Sequence, residues 1–282
     1  MKRLSAFILS MLMLLPAGLS GQEAKSECLP IPNIPPEKLS FKDREQITFV
    51  ANYTWGLINT GVGELTTTVY YKEDGREKEP YFEALASVKT YSFFDKFFRI
   101  RDTYEARFRA RNVTPLYFYR DIHEGKYTIQ NRFHFIDDHQ VDARITRSNN
   151  RIKDTLMQGK PCTFDLMTLL YFARNIETSS MKQGDQLSLS FVIDEEMHDL
   201  YFRYITTEQK KVPGVGTFRC KKFSVSLVAG VVFTGKEEML VWISDDDNRL
   251  PIWMETPVIV GKVSARIAKY DGLKFPLSSK VK

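Results

Sequence analysis

Four histidines, His123, His134, His139 and His198, are the side chains that titrate nearest neutral pH, and none belongs to an H-E-x-x-H pair. No G-x-S-x-G elbow supplies a nucleophile. His139 follows Asp137 and Asp138 in what reads as a hairpin tip, which makes it the best acid–base candidate and still an ordinary loop residue. Asp245, Asp246, Asp247 and Asn248 crowd one turn with enough oxygen atoms to suggest calcium, but the Gly and bidentate Glu of an EF-hand loop are missing. A solvated turn is the plainer reading, because Asp and Asn are turn formers. Asp194, Glu195, Glu196 and Asp199 around His198 read the same way. Gly230 to Lys236 spells G-x-x-x-x-G-K, yet Glu237 stands where a magnesium-binding hydroxyl belongs and strand patterns flank it, so it predicts a β-turn. The expectation is a chain with no catalytic residues, no metal and no cofactor. An uncharacterised hydrolase or metal-dependent enzyme remains the lesser alternative.

Lys2 and Arg3 precede twelve uncharged residues, Leu4 to Leu15, and then Pro16 and the small residues Gly18, Ser20 and Gly21. That order predicts a signal peptide over 1–21 and an exported protein, periplasmic or secreted. The run is shorter than the ~20 residues of a spanning helix and no second one follows, so the mature chain is expected not to be membrane-integral. Export places Cys28, Cys162 and Cys220 where disulfides persist. Three cysteines predict at most one bridge and one free thiol, and spacing does not rank the three pairings. The net charge of +5 is too small to imply nucleic acid.

The elements that must position these residues are mostly strands. Phe and Tyr number 20 and 13 against 3 Trp, a bias toward pleated surfaces. Beyond a Pro-rich arm over 22–44, Ile47, Phe49, Ala51, Tyr53 and Trp55 alternate with polar residues, and Leu65, Thr67 and Val69 resume the pattern after Gly56, Gly61 and Gly63. The clearest strand sets Phe98, Ile100, Asp102, Tyr104, Ala106 and Phe108 on one face. Arg99, Arg101, Arg107, Arg109 and Arg111 lie on the other, with Glu105, Asp121 and Asp142 as expected pairing partners. That basic face is either a solvated sheet surface or a contact for anionic headgroups or polysaccharide. One helix is predicted over about 164–177, capped by Thr163 or Asp165, with Leu166, Leu169, Leu170 and Ala173 on its apolar side. An internal echo links Asn112-Val113-Thr114-Pro115 and Gly125-Lys126 to Asn248-Arg249-Leu250-Pro251 and Gly261-Lys262, suggesting two similar meanders joined by the helix.

Several short motifs carry a resemblance in their joint order. They are Tyr53-Thr54-Trp55-Gly56, Gly61-Val62-Gly63-Glu64, Phe97 to Asp102, Cys162 to Leu166, Tyr171 to Asn175, Gly216 to Cys220, Asp246 to Pro251 and Val260 to Val263. From about residue 45 to 275 the chain resembles the domain-of-unknown-function family 3108 of exported bacterial proteins. The resemblance implies one mainly antiparallel β domain with a long curved sheet, and brings no activity. A likeness to periplasmic lipoprotein carriers with open β-barrels is an analogy of architecture.

The predicted fold class is therefore mainly β, a single curved antiparallel sheet or open barrel-like domain over 45–275 with one covering helix and a tail over 276–282. The leading functional expectation is a non-catalytic cell-envelope protein that binds an apolar or amphipathic ligand, a lipid or another envelope component, in the concavity of the sheet. Tyr53, Trp55, Phe98, Tyr104, Phe108, Phe133 and Phe135 are the candidate lining, with Phe191 and Phe202 facing the same interior. The alternative is a structural protein that meets an envelope protein partner through its exposed sheet face.

Overall fold

The computed structural model describes residues 28–227, 239–258 and 260–281. The leader and the Gly230–Lys236 segment lie outside the described residues. The first meander consists of β1 (Gln46–Trp55), β2 (Ile58–Lys72), β3 (Tyr81–Thr90), β4 (Arg101–Arg109), β5 (Pro115–Glu124), β6 (Tyr127–Phe135), β7 (Gln140–Arg147) and β8 (Ile152–Gln158). A short β9 (Thr163–Phe164) and helix α1 (Leu166–Ala173) follow. The second meander is β10 (Gln186–Ile193), β11 (Glu196–Val212), β12 (Gly216–Leu227), β13 (Met239–Ser244), β14 (Pro251–Pro257) and β15 (Lys262–Asp271). All fifteen strands share one sheet, ordered β8 through β1 and then β15 through β9, so the meanders are fused along β1 and β15. Every pairing is antiparallel except β9 with β10. β8 and β9 remain as edges, and the sheet is curved without closing into a barrel.

Alternation decides which face is packed. In β6, Ile129, Asn131, Phe133 and Phe135 are buried while Gln130, Arg132 and His134 are exposed. The curl is fastened where the β10–β11 turn meets the first meander: Arg120 donates to Asp194 and, at 2.7 Å, to Asn131, while Arg147 and Lys153 hold Glu195 at 2.5 and 2.9 Å. Asp194 and Glu195 of the second acidic group are thus cross-sheet anchors, while Glu196 lies beside His198 and Asp199 holds Lys160. The echoed turns share a backbone conformation as well as residues. Val113 and Arg249 both have positive φ, 56° and 46°, directly upstream of β5 and β14. For Val113 that region is disfavoured by the branched Cβ, so the surrounding structure must impose it.

The helix is shorter than the pattern suggests. Phe164 belongs to β9, and the helix ends at Ala173 because the Asn175 carboxamide donates to Tyr171 O at 2.8 Å and Arg174 turns away to Glu45. Cys28 and Cys162 form the disulfide, with Cα atoms 5.5 Å apart, and Cys220 is a buried free thiol. The bridge ties the start of the described chain to the entry of α1. From there Leu29 N bonds Ser188 O, Ile34 N bonds Arg111 O, and Leu39 and Phe41 enter the core. The Phe41 ring lies edge-on to Phe82 and Tyr171, with centroids 5.1 and 4.9 Å away.

Candidate binding cavity

Helix α1 lies in the concavity of the sheet, held at both ends by buried polar groups. At its start the Asp165 carboxylate accepts from Met167 N at 2.9 Å, Thr168 N at 2.8 Å and Thr168 Oγ1 at 2.6 Å. Burial pushes this carboxyl up to about 6 despite those donors. At its end Arg174 donates to both oxygens of Glu45, to Ser40 O at 2.8 Å and to Asn248 O at 3.0 Å. One guanidinium therefore joins the N-terminal arm, the start of β1, the helix and the β13–β14 turn. The pair is almost fully buried, and the Phe41 and Tyr171 rings flank it.

Between the helix and the sheet a cavity of about 140 Å³ remains. Phe49 and Leu65 line it from the first meander, Leu166, Leu169 and Leu170 from α1, and Phe202, Val241 and Met254 from the second. Thr67, Arg174 and the hydroxyl-bearing Tyr171 are its only polar lining residues among those described. A second hollow of about 270 Å³ adjoins it, sharing Ala173, Phe202, Val241 and Ile243 as a common wall. Its far side is polar: Lys221 bonds Thr178 O at 2.9 Å, and Arg249 bonds Ile176 O at 2.9 Å and Glu177 at 3.3 Å. The Asp245–Asn248 turn forms its floor. There Asp245 accepts from Arg219, while Asp246 accepts from Ser244, Asn248 and Ser279. Asn248 clasps Phe275 and Pro276, so this turn is a fastener for the C-terminal segment.

The family profile for DUF3108, proteins of unknown function, matches residues 48–268, which takes in both meanders and the helix. The chain belongs to the DUF3108 family. Among solved structures, the crystal structure of a β-barrel-like protein of domain of unknown function DUF1849 from Brucella abortus resembles it with a TM-score of 0.50 and 8% identity. The match covers 83% of this chain and 100% of that one. It is a likeness of fold. No curated protein matches the chain.

In this DUF3108 protein the aromatic residues singled out from the sequence are dispersed. Tyr104, Phe108, Phe133 and Phe135 are buried in the solid core of the first meander, where Phe108 stacks on Phe82 and Phe133 on Phe118. None of the seven lines the cavity. Phe98 precedes β4 rather than lying on it and rests against the Gly125 turn. Tyr53 donates to Val260 O at 2.8 Å, and Trp55 is exposed rather than interior, because β1 runs past the part of the sheet that α1 covers. Phe202 does reach both hollows. Ile47, Phe49 and Leu65 were legible as a packed strand face and Leu166 to Ala173 as an apolar helix face. What no local pattern encodes is that these two faces leave space between them.

The basic strand face is largely neutralised. Arg101 pairs with Asp95, Arg107 with Glu105, Glu77 and Glu83, and both Arg109 and Arg111 with Glu79. Of the expected partners only Glu105 takes part. Asp121 faces His123 Nε2 at 2.9 Å, and Asp142 makes none of these pairs, because residues from the β2–β3 loop reach the arginines first.

Proposed function

We propose that this protein is an exported, non-catalytic binder of an amphipathic molecule, whose apolar end enters the cavity under α1 and whose polar end lies in the adjoining hollow. The observation that carries the reading is the juxtaposition of a nearly all-apolar cavity with a polar one across a shared wall of Ala173, Phe202, Val241 and Ile243. Cavities of about 150 Å³ with similar linings stay dry and admit a benzene-sized group. Roughly six carbon atoms at ~0.8 kcal/mol each contribute about 5 kcal/mol, little more than the ~4 kcal/mol or greater cost of association. An apolar group alone would bind weakly, so polar contacts have to add affinity, which is why the ligand class is amphipathic. The leader-like N-terminus and the Cys28–Cys162 disulfide support an oxidising, extracytoplasmic setting.

Native mass spectrometry of protein purified without detergent tests the reading directly, followed by solvent extraction and titration with n-octanol, n-octanoate and n-octylamine. A co-purifying adduct or saturable binding of an octyl probe is expected, weakened by Val241→Phe, which fills the shared wall. A clean apo mass together with no binding of any of the three probes would overturn it.

A further inference from the structure

A different part of the molecule carries large apolar side chains that the fold leaves bare. Leu57 is completely exposed, and Trp55, Ile58, Phe93, Phe97 and Val260 are each half exposed or more. They sit on three connections, β1–β2, β3–β4 and β14–β15, and hydrogen bonds place those connections at one end of the sheet. Tyr53 Oη bonds Val260 O at 2.8 Å and Tyr91 N bonds Val62 O at 3.0 Å. Gly261, at φ 83°, lies so close to β1 that a Cβ there would stand 2.2 Å from Thr54 O. The β5–β6 turn joins the same row through Gly125 N to Arg99 O at 2.8 Å.

Exposed cations flank this apolar end. Lys96 and Arg99 are exposed on the β3–β4 connection and Lys126 on the neighbouring β5–β6 turn, and among the described residues none of the three forms a salt bridge. Of the carboxylates beside these tips, Asp95 pairs with Arg101, Glu64 with Lys89 and Glu255 with Lys262. At the opposite end exposed acids and bases are mixed: Glu73, Asp74, Asp137, Asp138 and Asp247 lie in the β2–β3, β6–β7 and β13–β14 connections, with Arg76, Lys78 and Arg111 exposed at the same end.

We propose that this end docks on an anionic phospholipid bilayer, with the tips of β1–β2 and β3–β4 entering the headgroup boundary. Trp fits the interfacial depth of Trp55, Leu57 and Phe97 reach deepest, and Lys96, Arg99 and Lys126 meet phosphate. Isolated apolar tips flanked by exposed cations on two loops match a fluid, negatively charged surface better than a second protein, which would have to supply carboxylates at both loops and a fitted pocket for each tip. This surface is independent of the cavity under α1, so either reading can fail alone.

The test is co-sedimentation of the full disulfide-bonded protein with vesicles of phosphatidylcholine alone or mixed 7:3 with phosphatidylglycerol. Binding at least tenfold stronger to the anionic vesicles is expected. Leu57→Asp should lose at least tenfold, and Lys96→Ala and Lys126→Ala about fivefold each. Leu57 contacts no core, so its variant should melt like the parent and bind octyl probes unchanged. Absence of partitioning, equal binding to neutral vesicles, or parent-like binding of Leu57→Asp each refutes the proposal. Self-association that Leu57→Asp abolishes, with vesicles left unbound, would assign the patch to a second copy of the chain.

Discussion

Replacing Glu45 by alanine isolates the Arg174 guanidinium inside the fold. Both side chains are buried, at 1% and 3% exposure, so the charge left behind cannot turn to water. Removing one partner of a buried pair costs about 3–5 kcal/mol, whereas replacing both with apolar groups of similar volume is often neutral. Here Arg174 keeps Ser40 O and Asn248 O as acceptors and the Phe41 and Tyr171 rings as neighbours, which places Glu45→Ala at the lower limit, about 3 kcal/mol. That is a large share of a domain stability of ~5–15 kcal/mol, and it corresponds to a melting point lower by roughly 6–12 °C. Urea unfolding of the parent, Glu45→Ala, Arg174→Met and the combined Glu45→Ala/Arg174→Met protein completes a double-mutant cycle. The combined variant should be more stable than Glu45→Ala. If Glu45→Ala loses less than about 1 kcal/mol, or the combined variant loses the sum of the single losses, the pair is not the lock inferred from its burial.

Three further outcomes follow from buried groups. Reducing the Cys28–Cys162 bridge, whose partners are 134 residues apart, should destabilise the protein by up to about 5 kcal/mol, measured as the shift in urea midpoint with and without reductant. Burial drives the Cys220 thiol up to about 12, so native protein should resist alkylation there, and one equivalent of label should appear only on unfolding without reductant. Burial raises the Asp102 carboxyl from 3.8 to about 7, against the opposing effects of the His123 N–H and Arg120. Between those values the folded protein retains a proton that the unfolded chain releases, so this group's stability is full below about pH 4 and lost as pH rises to about 7. Asp102→Asn should remove that slope and be more stable than the parent at pH 8 by roughly 4 kcal/mol; an unchanged slope in urea midpoints across this range rejects the assignment.

Much of the architecture is local and therefore legible in the chain. Period-two alternation places Ile47, Phe49 and Ala51 inward and Tyr104, Ala106 and Phe108 likewise, because a pleated strand sends successive side chains to opposite faces whatever its partners are. The Asn112–Pro115 and Asn248–Pro251 turns are readable for the same reason, and so is Asp165 as the cap of α1, since its acceptors serve N–H groups two and three residues ahead. The sequence also identified inward-facing aromatics, but not whether the interior was full. That depends on volumes summed over elements far apart in the chain. Phe108 and Tyr171 meet in solid packing, whereas Phe49, Leu169 and Val241 leave a gap. The fusion of β1 to β15, the Glu45–Arg174 lock across 129 residues and the choice of Cys28 for Cys162 are likewise tertiary facts. Each requires closing a long loop, and the free energy that compensates that entropy comes from the whole packed sheet, not from any pattern within reach of one segment.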